Sequence, residues 1–198
     1  GGGVVGENAA LIATGMRANV FIIDKSPERL KQLQEIFGDK IKPIRSDKAE
    51  LKKLIIDCDL LIGGVLIPGA EAPKLVTRDM VKSMRRGSVI VDVAIDQGGC
   101  VETSRPTTHD NPTYLVDDVV HYCVANMPGG VPRTSTLALN KATLPLLVKI
   151  ADQGYEKILK ENKNYLAGLN VFKGAITCKG VADAFKLKYT PANKVLQN

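Results

Sequence analysis

Three glycines and two carboxylates are the residues of this 198-residue chain best placed to do chemistry. Gly1, Gly3 and Gly6 have the spacing G-x-G-x-x-G ahead of a small-residue run containing Ala9, Ala10 and Ala13. In that pattern the first glycine permits a tight turn, the second lets backbone approach a pyrophosphate, and the third lets the following helix pack closely on its strand. The free N–H groups and positive dipole end of that helix then face the phosphates. Asp24 closes the apolar run Val20-Phe21-Ile22-Ile23, about 20 residues on, where such a site needs an acceptor for ribose hydroxyls. A 2′-phosphate would meet Asp24 as a like charge, with Lys25 the one neighbouring cation in sequence, so the pattern favours NAD over NADP.

The second carboxylate, Asp96, follows the strand-like run Ser88 to Ala94 and precedes Gly98-Gly99. In open α/β sheets, catalytic groups gather at the C-terminal ends of strands, beside glycines that leave room for a ligand. Asp followed by glycine is also ordinary turn composition, and on residues alone that role stands slightly ahead.

The elements that must position these groups alternate. Ser26-Pro27 reads as a helix cap with proline in the first turn, and Leu30, Leu33 and Phe37 hold one apolar face until Gly38 stops the helix. Lys40 to Arg45 reads as a short strand. Ser46 at its end either touches the adenosine half of a dinucleotide or caps the helix Asp47 to Ile56; the two roles balance. Leu60 to Leu66 reads as a buried strand, Ile67 to Pro73 as a loop of breakers, and Thr77 to Met84 as a capped helix. Further strand-like residues come at Tyr114 to Val116 and His121 to Ala125. Strand and helix in alternation predict an α/β fold with a doubly wound parallel sheet. The fingerprint should follow a strand and here opens the chain, so the first, central strand is expected upstream.

The breaker run Asn126 to Pro132 marks the expected domain boundary, giving 1–131 as the Rossmann-type domain and 132–198 as a helical segment. A long helix starting at Thr134 or Ser135 carries Leu137, Leu144, Leu147 or Val148, and Ala151 on one face and ends near Gly154. Shorter helices follow at Tyr155 to Asn162 and Val181 to Leu187, with an irregular stretch between. Having no strands of their own to cover, they are expected to pack on another domain.

With 44% apolar residues the chain can bury a core. Its +6 charge is spread as lysines among acids, and no basic block suggests nucleic acid. Four cysteines, Cys58, Cys100, Cys123 and Cys178, form no C-x-x-C pair and fit a reducing, cytoplasmic compartment. No apolar stretch has the length of a bilayer span.

Longer motifs are more specific than the glycines. Asp92-Val-Ala-Ile-Asp96-Gln-Gly-Gly-Cys100, Ser104-Arg-Pro-Thr-Thr108, Tyr122-Cys-Val-Ala-Asn-Met-Pro128 and Val131-Pro-Arg-Thr-Ser-Thr136 closely resemble the alanine dehydrogenase family, related to pyridine nucleotide transhydrogenases. The resemblance implies a bilobal subunit with an N-terminal substrate domain, a Rossmann domain and C-terminal helices that return to the first lobe. It implies reversible oxidative deamination of L-alanine to pyruvate and ammonium with NAD, usually in a hexamer. By the same resemblance Gly1, Gly3, Gly6 and Asp24 hold the cofactor, with Asp24 on the adenosine ribose and Ser46 near the adenine end. Val65 and Leu66 border the nucleotide, and Arg105 approaches it from a loop. Val93, Ala94, Ile95 and Asp96, with Val124, Ala125, Asn126 and Met127, line the nicotinamide side. Asp96 is the implied catalytic carboxylate. The family's catalytic histidine, lysine and arginine belong to the N-terminal domain, and neither His109 nor His121 replaces that histidine. Where some members bind magnesium on the first C-terminal helix, Lys149 and Gln153 stand here, poor ligands for that ion, and no metal is expected. Two rivals differ in function: the NAD-binding component of a proton-translocating transhydrogenase, and a bare nucleotide-binding module. The unbroken run from Asp96 to Thr108 resembles the amino-acid enzyme rather than the first, and a gene beginning at residue 1 would favour the second.

Overall fold

The computed structural model describes residues 1–65, 67 and 71–196. These fall into two compact units that divide between Met127 and Pro128.

In the first unit, helices and strands alternate as α1 (Val4–Gly15), β1 (Val20–Asp24), α2 (Pro27–Phe37), β2 (Ile41–Arg45), α3 (Lys48–Ile56), β3 (Leu60–Gly63), α4 (Arg78–Lys82) and β4 (Val89–Asp92). A 3₁₀ turn over Val93–Gln97 and the strands β5 (Thr113–Val116) and β6 (Val119–Tyr122) complete it. Strands β1 and β2 pair in parallel, with Asp24 opposite Arg45. A second sheet has the order β3-β4-β6-β5, parallel from β3 through β6. Each parallel strand therefore delivers its C-terminal end, and the residue that follows, to the side where α/β folds bind ligands.

Local chemistry explains the elements. The Ser26 side chain accepts from Arg29 N–H at 3.2 Å with Pro27 in the first turn, and Gly38 ends α2 at φ +58°. Leu30, Leu33 and Phe37 are the buried residues of α2, and the last two pack with Ala10, Ile22 and Ile41. A second core gathers Ile55, Val76, Met80, Val81, Met84, Ile90, Val101 and Val119 around β3 and β4.

Two expectations change here. The edge of the sheet is antiparallel: β5 and β6 form a hairpin through Asp117 and Asp118, with φ +51° and +62°. A two-residue connection cannot cross over to a parallel neighbour, and positive φ at both central residues suits the twist of a hairpin. The strand before Asp96 ends at Asp92, and the 3₁₀ turn carries Asp96 beyond the strand tip.

The second unit opens with α5 (Pro132–Gln153), which begins at Pro132 rather than Thr134 or Ser135 and ends at Gly154, φ +78°. None of its 22 residues is buried, and Leu137, Leu139, Leu144, Leu146 and Leu147 are exposed. Helices α6 (Tyr155–Glu161), α7 (Lys163–Ala167), α8 (Lys179–Phe185) and α9 (Ala192–Val195) follow. The stretch expected to be irregular holds α7 and a small hairpin, β7 (Val171–Phe172) with β8 (Ala175–Ile176). Ile158, Leu159 and Leu196 form the core of this unit with Ile150, Tyr165, Leu166 and Phe172 against them.

One buried polar residue of the first unit has a consequence for pH. His121 on β6 is wholly buried, with Nδ1 3.0 Å from the Val119 carbonyl and Nε2 2.7 Å from the Thr103 hydroxyl. A carbonyl can only accept, so Nδ1 carries the proton and Nε2 accepts from Thr103. Burial lowers the His121 pKa below 6.5, against the opposing pull of the Val119 carbonyl and the more distant Asp92 carboxylate. A histidine held neutral contributes stability that is present above its unfolded pKa and lost as pH falls through about 6.5, because the unfolded chain takes the proton first. The urea midpoint is therefore expected to drop between pH 7.5 and 5, with a limit of about 1.4 kcal/mol per pH unit from this one group. The same titration of His121→Gln, which retains an acceptor and cannot titrate, should be flatter; equal slopes would remove His121 as the cause.

Candidate functional site

The glycine turn joins the ends of β1 and β3. Gly2 N–H donates to Asp24 Oδ2 at 2.7 Å, and Ser26 N–H donates to Asp24 Oδ1 at 2.9 Å. Partial burial pushes the Asp24 carboxyl up, but the Ser26, Gly2 and Lys25 backbone N–H groups and the positive charge at Gly1 together hold it below its usual 3.8. Asp24 is thus an anion whose position is locked to the turn. Ser46 N–H donates to the Asp24 carbonyl at 2.8 Å, so Ser46 lies beside Asp24. Its capping role goes to Asp47, whose carboxylate accepts from Ala49 N–H at 2.8 Å and Glu50 N–H at 3.2 Å. Ser46 is exposed and available to a ligand at the strand end.

The reasons for glycine differ along the turn. A Cβ on Gly6 would stand 1.9 Å from the Gly1 carbonyl oxygen, and one on Gly1 would stand 2.6 Å from the Gly64 oxygen. Neither neighbour can give, since both are backbone. Gly3 faces nothing within 4 Å and precedes α1 with φ −69°. Having no side chain, it cannot cap the first N–H groups of α1, which leaves them and the space before them to an anion.

Arg29 completes this end of the site and carried no sequence signal beyond its place in the first turn of α2. Its Nε donates to the Gly2 carbonyl at 2.6 Å, and its Nη2 pairs with Glu7 of α1. Gly2 is therefore held by Asp24 through its amide and by Arg29 through its carbonyl. Lys25 is not the one cation near Asp24: Arg29 approaches from α2, and Arg45 stands opposite in register.

At the other end, two carboxylates four positions apart take different roles. Asp92, at the tip of β4, is completely buried and accepts from Cys100 N–H at 2.9 Å and Val101 N–H at 3.1 Å, with the Cys100 thiol at 3.5 Å. These bonds satisfy a charge that would be costly to bury alone. The fit requires glycine at 63, where a Cβ would meet Cys100 Sγ at 2.4 Å, and at 99, where one would meet Asp92 Oδ2 at 2.8 Å. Burial and the Asp92 charge push the Cys100 thiol up to about 12, so it stays a thiol. A carboxylate inside an apolar strand run was the available hint of this role. Asp96, by contrast, is exposed. Lys74 secures the loop behind it, bonding the Gly98 carbonyl and, at 2.9 Å, the Gly99 carbonyl.

The remaining expected residues, Arg105 apart, follow strand ends. Val65 lies just past β3 and packs on the core, and Leu66 falls outside the described residues. Ala94, Ile95 and Val124 have buried side chains, so what they can offer a ligand is backbone, whereas Val93 and Met127 are half-buried and Ala125 and Asn126 exposed. Asn126 adopts φ +63°, and its carbonyl accepts from His109 Nε2 at 3.0 Å. Arg105 is exposed, on the loop that leads to β5. The contrast between Gly6 and Gly3 is directly measurable: Gly6→Ala should lose about 1–3 kcal/mol of stability in urea unfolding, and Gly3→Ala less than about 1. Equal losses would contradict the close approach of Gly6 to Gly1.

The likeness to known proteins runs through both units. Residues 1–179 match the family model described as alanine dehydrogenase/PNT, C-terminal domain. An alanine dehydrogenase of Halomonas elongata is 55% identical over 196 residues, 99% of this chain and 53% of that protein. A solved L-alanine dehydrogenase superposes with a TM-score of 0.83 at 50% identity, covering 94% of this chain and 51% of that one. A transhydrogenase from Sinorhizobium meliloti gives 0.72 at 27% identity, covering 90% and 48%. The chain thus spans about half the length of these relatives. It belongs to the alanine dehydrogenase/PNT family and corresponds to that family's C-terminal domain.

Proposed function

We propose that this chain is the cofactor-binding half of an NAD-dependent alanine dehydrogenase, which converts L-alanine to pyruvate and ammonium reversibly. The observation that carries the proposal is the lock of Asp24 onto Gly2 beside open space at Gly3. An acceptor for ribose hydroxyls and open space at a helix N-terminus are thereby held together, which is the fit NAD needs. Identities of 55% and 50% to alanine dehydrogenases, against 27% to the transhydrogenase, favour the amino-acid reaction.

Gly1, Gly3 and Gly6 would admit the pyrophosphate to the backbone and Asp24 would take the adenosine ribose, with Ser46 toward the adenine. Val65 would border the nucleotide and Arg105 would approach it from its loop, while residues 93–96 and 124–127 would line the nicotinamide side. When bound, the nicotinamide supplies the two-electron acceptor for hydrogen leaving the alanine α-carbon. Asp96, exposed beside Gly98 and Gly99, would stabilise the positive charge at the substrate nitrogen and exchange a proton there. Residues 1–131 would form the NAD-binding domain. Residues 132–198 would return to an N-terminal substrate domain that carries the remaining catalytic groups, and the exposed leucines of α5 suit such a covered position. A homo-hexamer in the cytoplasm completes the proposal, with four free cysteines in keeping with a reducing compartment.

In the intact protein, Asp96→Ala should cut NADH formation from L-alanine by about 10²–10⁴-fold while NAD affinity stays near wild type. Unchanged alanine oxidation would remove Asp96 from the mechanism. Asp24→Asn keeps an acceptor for Gly2 N–H and drops the charge. It should weaken NAD by about tenfold and narrow the preference over NADP; an unaltered NAD:NADP ratio would refute the ribose assignment.

A further inference from the structure

The loop that carries Arg105 has no helix or strand of its own, yet two aromatic rings engage its residues Thr103 and Arg105. The Tyr114 hydroxyl on β5 accepts from Arg105 N–H at 2.8 Å and donates to the Thr103 carbonyl at 3.0 Å. The Tyr114 ring also lies under the Arg105 guanidinium, whose central carbon is 4.1 Å from the ring centroid. The ring also stacks on His121, at 5.0 Å between centroids and 25° between planes. His121 in turn takes the Thr103 hydroxyl at 2.7 Å. Farther along, Thr107 N–H donates to the Cys123 carbonyl at 2.9 Å and Ala125 N–H to the Thr107 carbonyl at 3.1 Å. The loop is thereby tied to the segment that precedes Asn126.

We propose that Tyr114 is a positioning residue for the cofactor: its ring face sets the direction of the Arg105 guanidinium while its hydroxyl holds the loop backbone, with His121 stacked on the ring. The inference rests on Arg105 lying against NAD, as proposed above. A planar guanidinium stacked on a ring keeps its edge N–H groups for a polar partner. Among the described residues no hydrogen bond or ion pair engages the Arg105 side chain. A long exposed arginine left to itself would lose rotamer freedom on binding, and a side chain already stacked loses less. The hydrogen bonds alone would hold the backbone of the loop; the ring beneath the guanidinium is what a merely structural tyrosine would not need to supply.

The test measures the NADH dissociation constant by titration calorimetry on the intact protein, for Arg105→Ala, Tyr114→Leu, Tyr114→Phe and the Arg105→Ala/Tyr114→Leu double variant. Arg105→Ala should weaken NADH, and Tyr114→Leu should weaken it by about 2- to 5-fold. Tyr114→Phe, which keeps the ring, should recover most of that loss. In the double variant the leucine should add nothing to the effect of Arg105→Ala. Arg105→Lys changes one exposed side chain, so it folds even if Tyr114→Leu does not. It keeps the charge, loses the flat face, and should also weaken NADH by at least twofold. A Tyr114→Leu loss of the same size with and without Arg105, or an Arg105→Lys protein as tight as wild type, overturns the positioning role while Arg105 remains a cofactor contact. An Arg105→Ala protein that binds NADH as well as wild type overturns the cofactor contact itself, and the proposal with it.

Discussion

The Gly2 N–H to Asp24 carboxylate hydrogen bond, 2.7 Å long, is the constraint on which the site depends. It joins the turn before α1 to the C-terminal tip of β1, adding a polar lock to the apolar packing of Ala10 on Ile22 and Leu33. Arg29 closes the same joint from the opposite side by taking the Gly2 carbonyl and pairing with Glu7. The helix N-terminus and the carboxylate are then presented as one rigid surface. Rigidity there matters because ordering a loop on binding costs affinity, and a turn already fixed avoids most of that cost.

A second joint, around Asp92, does for the far end of the site what Asp24 does for the near end. Its carboxylate gathers the Cys100 and Val101 amides inside the fold, at the one strand tip where Gly63 and Gly99 leave it room. The loop bearing Asp96 is consequently pinned at its base by Asp92 and at its crest by Lys74. Charge placement follows from solvent access. Asp92, spent on backbone amides, is buried, and Asp96 is exposed. The two acids are separated by a single 3₁₀ turn, so holding one in place aims the other.

Much of this was legible in the sequence where the cause is local. Ser26-Pro27, Gly38, Thr77 and Gly154 act through their own backbone neighbourhoods, and the structure has each at the helix end expected. Glycine spacing and the position of Asp24 likewise pointed to the turn and its acceptor. What escaped depends on contacts distant in the chain or on choices between adjacent residues. Ser46 and Asp47 can each cap α3; the aspartate does so, one carboxylate oxygen taking the Ala49 and Glu50 amides, while the Ser46 amide is tied to the Asp24 carbonyl. The β5–β6 hairpin turns on two aspartates in left-handed backbone, without the glycine that usually announces such a turn. Arg29 and Tyr114 act on Gly2 and Arg105 across 27 and nine residues, and no spacing rule foretells either. Asp92 was visible as a charge within an apolar strand, but its partners lie eight and nine residues on, in a loop without periodicity.

A crystal structure of the intact protein with NAD bound tests the central claim most directly. The expected result has the adenosine ribose hydroxyls within about 3 Å of Asp24 while the Gly2 amide remains on the same carboxylate, with the pyrophosphate over Gly3 and the nicotinamide beside residues 93–96. A nucleotide bound elsewhere, or an Asp24 that must release Gly2 before the ribose can enter, would contradict it.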